Sequence, residues 1–313
     1  PAPQIKTRFH LGAACLVVGM AAAVLWAYWP TLRGMAVRWE EPQYSHGYLV
    51  PLFALGLLWF RRAKLAGATF QPSWWGVAVV AVAIALRWLG THFYVDTLDE
   101  LSLLPLLLGV CLLAGGWTAL RWAWPAIGFL IFMVPLPFRL EVGLSVPLRH
   151  VATVISTYAL QTLGFSAFSE GNVIVLNDYR IGVAEACSGL SMLMTFLALS
   201  CAVALVVKNT KPLDKAIIVL SAIPLALVTN ILRIIVTAIL YNLVGGHAAQ
   251  VFFHDLAGWL MMPVALGLLY GELKLLKHLL IEPEQKKPLP LAFGTVVAAN
   301  GQANPKKKRV RVR

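Results

Sequence analysis

The chain has 313 residues, 59% of them hydrophobic and only 13% charged, with a formal net charge of +12 and a mean hydropathy of +0.75. A soluble domain carries about a quarter charged residues, so a soluble globular protein is excluded and a polytopic membrane protein is called for. The basic excess does not mean nucleic acid, because its strongest cluster is the tail Lys306-Lys307-Lys308-Arg309 with Arg311 and Arg313, and the other cations flank apolar runs as cytoplasmic anchors do.

A helix needs about 20 apolar residues to cross a bilayer, and apolar runs that reach or approach this length follow one another along the chain. Leu11–Trp29 comes first; it is long enough to stay as a span, and no small-residue cleavage motif follows it, so no cleavable signal peptide is expected. Gly47–Phe60 is short, a tilted or broken helix. Trp75–Val95 and Leu101–Leu120 are full length, and Trp122–Leu136 is short again. Ser145–Gly164 is helix-like but interrupted by Arg149 and His150. Residues 170–183 carry two β-branched runs flanking Asn177-Asp178, which predicts a small hairpin. Ser188–Val207, the over-long Ala216–Val244 with Pro224 as a kink, and Val251–Leu273 complete the set. From Glu282 the composition turns to Pro, Lys, Gly and Asn, as in a disordered tail. The expected organisation is a membrane domain over 1–281 and a basic cytoplasmic tail over 282–313. In the tail, Pro305-Lys306-Lys307-Lys308-Arg309-Val310 also has the look of a nuclear-import signal, a reading that membrane spans disfavour.

Charge sets the orientation. Lys6, Arg8, Arg61, Arg62, Lys64, Arg121, Lys208, Lys211, Lys215, Lys274, Lys277, Lys286 and Lys287 fall on one side, whereas Glu40, Glu41, Asp96, Asp99 and Glu100 fall on the other. The alternation predicts both termini in the cytoplasm, provided that Ser145–Gly164 does not cross. Arg33 and Arg38 on the outer side run against the rule. The fold class expected is an all-α polytopic membrane protein of about eight transmembrane helices, with an extracytoplasmic interfacial helix and a small β-hairpin.

Of the four cysteines, Cys15, Cys111 and Cys201 lie inside apolar runs, where cysteine acts as a small buried residue. Cys187, in Glu185-Ala186-Cys187-Ser188-Gly189-Leu190, stands where a polar segment meets a span. The alternating topology puts Arg233 and His254 at the same outer rim. A nearby cation lowers a thiol's pKa from about 8.5, an imidazole can protonate a leaving amine, and a guanidinium suits an oxyanion because it keeps its proton. Asn230, one helical turn before Arg233, could orient the guanidinium. Glu185 could orient a base or meet a substrate's basic group, and Asp255 could hold His254. Each residue also has a structural reading: a helix-start cysteine, a snorkelling arginine, an interfacial histidine. The remaining histidines give no HExxH spacing, and no cluster calls for a metal or an organic cofactor. Trp26, Trp29, Trp74 and Trp75 fit an interfacial belt.

These residues resemble the exosortase/archaeosortase family of polytopic, transpeptidase-like enzymes. The resemblance rests on the Cys187 block, on Thr229-Asn230-Ile231-Leu232-Arg233, and on His254-Asp255 with Gly258. Tyr44-Ser45-His46-Gly47 with Leu49-Val50-Pro51, and Met133-Val134-Pro135-Leu136-Pro137, add weaker support. Family resemblance implies Cys187, Arg233 and His254 as the catalytic set. It implies as partners exported proteins with a C-terminal sorting tail, built from a short motif such as PEP, an apolar helix and a basic cluster, and an acceptor that the sequence does not name. Cleavage would occur at the outer face of the cytoplasmic membrane. The competing expectations are a transporter or lipid-handling protein, and a non-catalytic scaffold for envelope or polysaccharide assembly. A purely hydrolytic intramembrane protease differs only in the fate of the acyl group.

Overall fold

The computed structural model describes residues 11–41, 43–177, 179–182, 189–207 and 211–244, together with Gly267, Leu268, Tyr270, Gly271 and Lys274. The chain divides into two units, Pro1–Gly271 and Glu272–Arg313; every helix and strand named here belongs to the first. The opening run is split: α1 spans Leu11–Ala27 and α2 Trp29–Arg38. Pro30 sits in the first turn of α2, where its missing N–H costs nothing. A 3-10 turn at Ser45–Tyr48 leads into α3 (Leu49–Arg61), and α4 covers Trp75–His92. Then come α5 (Asp96–Leu101) and α6 (Leu103–Phe129), continued by a 3-10 turn to Met133, and α7 (Phe138–Thr162). Strands β1 (Ala167–Glu170), β2 (Val173–Leu176) and β3 (Tyr179–Gly182) are followed by α8 (Leu190–Val206), α9 (Pro212–Leu220) and α10 (Ala222–Val244).

Among the described residues, Trp75–His92, Asp96–Met133 and Pro212–Leu243 are long and apolar enough to cross a membrane. Val18–Ala27 and Leu190–Val206 are shorter apolar helices. The last predicted run, Val251–Leu273, lies almost wholly outside the described residues.

Asp96–Met133 is not one rod. Arg38 pairs with Glu100, while the adjacent Trp39 donates its indole N–H to the carbonyl of Met133 at 2.8 Å. A straight helix would hold residues 100 and 133 about 50 Å apart. The chain instead turns back at Gly116, whose φ of 65° and ψ of −153° leave the helical region. Only glycine fits there, because a Cβ would overlap the carbonyl oxygen of Gln71. The two arms are antiparallel to different partners. On the first arm, Gly109 packs on Gly76 and Val80 of α4; on the second, the Phe129 ring packs tilted against that of Phe53 of α3, with centroids 4.7 Å apart. The sequence places this break at Arg121, between two separate runs; the structure moves it to Gly116.

Near the turn, Pro125 has no N–H to give to the carbonyl of Arg121, one turn earlier. Arg61, at the end of α3, takes over: Nη2 donates to the Arg121 carbonyl and Nε to that of Trp122, both at 3.0 Å. The opposite end of the bundle holds a polar network. Besides the Arg38–Glu100 pair, Arg87 Nε stands 3.4 Å from Asp99. Thr31 donates to Asp99 at 2.6 Å, and the hydroxyls of Tyr28 and Ser102 meet at 2.6 Å. Glu100 is 3% exposed, so losing its partner costs several kcal/mol, about 3–5. The network accounts for Arg38, which runs against the charge rule: its charge is matched by a buried acid.

The second half builds the platform of the site. Phe196 of α8 packs among Ala222 and Ala226 of α10. Beyond α8, α10 continues alongside α7 and the sheet, where Ala152, Leu160, Ile174, Leu176, Ile234 and Ala238 form one core. The predicted hairpin is β2–β3, with Leu176 opposite Tyr179 and Asn177 at a φ of 52° in the turn. A further strand, β1, extends it to a three-stranded antiparallel sheet in the order β1-β2-β3. The helix-like segment Ser145–Gly164 is α7, which begins earlier, at Phe138.

Candidate active site

Gly189 opens α8 with a φ of 65°, a left-handed conformation that side-chain-bearing residues resist. A Cβ on it would lie 3.3 Å from the side-chain nitrogen of Asn230 and 3.6 Å from Leu148. The start of α8, the middle of α10 and the middle of α7 therefore meet at one point. Asn230 is 1% exposed and fixes this junction. Arg233 follows one turn later on the same face of α10; it is half-buried, and its carbonyl accepts the Thr237 hydroxyl at 2.7 Å.

Across the junction, α7 turns its polar side inward. Arg149 is half-buried, and Thr153, Ser156 and Thr157 are buried. Thr153 returns its hydroxyl to the carbonyl of Arg149 at 2.8 Å. Ser156 and Thr157 on α7 and Thr229 on α10 hold buried hydroxyl oxygens without a partner among the described residues. Such a polar seam in an otherwise apolar bundle is the place to expect chemistry, because each unsatisfied group costs about 1–3 kcal/mol.

Of the residues singled out in the sequence, Asn230 and Arg233 are brought to this junction. Cys187, Glu185, His254 and Asp255 lie outside the described residues. Cys111 and Cys201 are free and half-buried within helices, as expected for cysteines of apolar runs.

A family model described as transmembrane exosortase matches residues 39–271. The chain belongs to the transmembrane exosortase family. It is thus a membrane sorting enzyme in the general sense of that family. Comparison with curated proteins and with solved structures gave no match.

The exosortase match starts at Trp39, the residue that ties together the two weaker motif blocks. Its indole bonds the carbonyl of Met133 and covers Gly47 so closely that a Cβ there would overlap the ring. Tyr44 donates to Glu141 of α7 at 3.1 Å, and Gln43 donates to the other carboxylate oxygen at 2.9 Å. Blocks distant in sequence thus join the α3–α6 half to the first turns of α7. Burial, reinforced by the Glu141 carboxylate, pushes the Tyr44 phenol well above its ordinary range.

His46 is 5% exposed. Neither ring nitrogen makes a hydrogen bond of normal geometry. Burial lowers its pKa below 6.5, and the Phe132 backbone offsets only part of this. Below about pH 6.5 the unfolded chain therefore binds a proton at His46 more readily than the fold does. Its contribution to stability is complete above pH 6.5 and is lost as the pH falls from there toward the folded-state pKa. Thermal unfolding in detergent should show a lower midpoint at pH 5 than at pH 7.5, and His46→Gln should flatten that dependence. An unchanged slope in the variant would remove His46 as its source.

Two features escape a reading of the sequence. Gly189 is required by its backbone, a need that a glycine after Cys187-Ser188 signals only weakly. Arg149 stands out in sequence as an interruption of a helix; its place on the inward face emerges only once α7 and α10 are packed together.

Proposed function

We propose that this exosortase is a membrane-embedded cysteine protease/transpeptidase. It cleaves the C-terminal sorting tail of exported proteins, a PEP-type motif followed by an apolar helix and a basic cluster, through a Cys187 thioester. The catalytic set is Cys187, Arg233 and His254, with Glu185, Asn230 and Asp255 orienting them or binding substrate. The observation that carries this reading is the contact of Asn230 with Gly189. Cys187 precedes Gly189 by two residues, and two peptide units span at most about 7 Å, which supports assigning the nucleophile to the helix junction that bears Arg233.

In the reaction proposed, the tail enters sideways between helices and presents its scissile peptide at the rim. The Cys187 thiolate attacks the carbonyl carbon, and the Arg233 guanidinium receives the developing oxyanion. His254 gives its proton to the leaving amine as the C–N bond breaks, and a thioester remains. An amine of the acceptor, or water, then attacks the thioester; His254 takes the proton of that nucleophile, and the thiolate departs. Such a step consumes no oxidant and needs no metal.

The same reading gives the architecture: eight membrane helices over 1–281, both termini cytoplasmic, and the site at the outer face of the inner membrane. Residues 282–313 would form the basic cytoplasmic tail. Co-expression with a tailed protein, followed by mass measurement of its new C-terminus, tests the proposal. A cut on the N-terminal side of the apolar helix is expected, carrying an added mass for transfer or a bare carboxylate for hydrolysis. An intact tail in the presence of folded, membrane-inserted enzyme would sink it.

A further inference from the structure

Arg149 is the charged side chain on the inward face of α7, in register with Ala152, Thr153 and Ser156. Its neighbour Leu148 lies against Gly189, and Ala152 packs with Ile234 of α10. Arg149 thus stands on α7 between residues that face the Gly189–Asn230 junction and α10, the helix that bears Arg233. Its Nε is buried and has no hydrogen-bond partner among the described residues.

Among the described residues, the charged groups on the elements around it do not neutralise it. On α7, Arg139 and His150 are exposed, and Glu141 is engaged by Gln43 and Tyr44. In the sheet, Glu170 pairs with Arg180. Arg233 is the charged residue of α10, and α8 has none. Among the described residues, the elements packed at the junction therefore bring two arginines, Arg149 and Arg233, and no carboxylate that is not already engaged. A guanidinium does not shed its proton, so its burial is not relieved by neutralisation, as that of a lysine is. Such a cation is best satisfied by an incoming anion, and its planar fork matches a carboxylate.

We propose that Arg149 is a specificity-determining residue that receives a carboxylate of the substrate tail next to the scissile peptide. The inference rests on the sorting-enzyme reading above and deepens it. The two like charges then have separate roles, with Arg149 on α7 holding the acidic recognition group and Arg233 on α10 left free for the oxyanion. A tail whose motif carries a glutamate would be held by one wall of the junction and cut at the other.

The test uses the full chain in membranes, with two tailed substrates that differ by glutamate or glutamine in the motif. With the acidic tail, Arg149→Gln should lower kcat/KM by about 10- to 100-fold, mainly through KM. The wild-type enzyme should show the same loss on the amide tail, and Arg149→Gln no further loss there. Arg149→Lys, which keeps the charge and loses the fork, should show the same tail dependence in weaker form; it serves if the glutamine variant does not insert. Equal rates of variant and wild type on both tails would overturn the proposal. So would equal losses on both tails, which would make Arg149 a brace of the fold or the partner of Glu185. Cys187→Ala is run in parallel. If that variant still cleaves, the sorting-enzyme reading fails; if cleavage stops and only the tail dependence is missing, the failure is that of Arg149 alone.

Discussion

Cys187→Ala should abolish cleavage of a tailed substrate, a loss on the order of 10⁴-fold or more, while the chain inserts and folds as before. The nucleophile of a covalent mechanism has no substitute, since water is a far weaker nucleophile toward a peptide carbonyl than a thiolate and is not tethered beside it. Removing one sulfur before Gly189 should leave the Asn230 contact in place, because that contact is made by the glycine itself. The measurement is substrate processing in membranes alongside a melting curve of the purified variant. Undiminished processing would return the chain to the transporter or scaffold readings.

Arg233→Gln should lower kcat by about 10²- to 10³-fold with little change in KM, the signature of a group that meets charge only in the transition state. Arg233→Lys restores the charge but not the planar fork and should recover part of the rate. Half-buried on α10, the side chain is not part of the tightly packed core, so the melting temperature should shift little. A variant that loses stability and rate together, or raises KM alone, would assign Arg233 to structure or to ground-state binding instead. Asn230→Ala differs in kind. It removes a side chain that is 1% exposed, so stability should fall along with activity.

Much of this fold is legible in hydropathy because a membrane demands long apolar runs. Runs read at Trp75–Val95 and Ser188–Val207 correspond closely to α4 and α8. Near Pro224 the over-long run divides into α9 and α10, at Ser221. What hydropathy does not encode is the direction of the chain within an apolar stretch. Gly116 turns the chain back inside a run in which nothing is charged until Arg121, and proximity of Gln71 decides it. The helix α2 is hidden for a related reason: Arg38 looks like a misplaced loop charge until Glu100 comes into view. Strand β1, Ala-Phe-Ser-Glu, carries too weak a β-pattern to be read without its partner β2. At the site, the Asn230–Arg233 spacing is readable because both lie on one helix. The role inferred for Arg149 is not, since it depends on how α7 rotates against α10.

The Arg38–Glu100 pair has a consequence for biogenesis. During synthesis the arginine emerges long before its acid, which follows 62 positions later. For that interval it is an unmatched cation beside a nascent helix, drawn by the insertion machinery toward the cytosol. On the proposed topology, with Arg38 on the outer side, delivery of Asp99 and Glu100 would cancel that pull and let the N-terminal segment settle once α5 has left the ribosome. Glu100→Gln should therefore yield a population with an inverted amino-terminal helix, detectable by protease accessibility of a tag placed there.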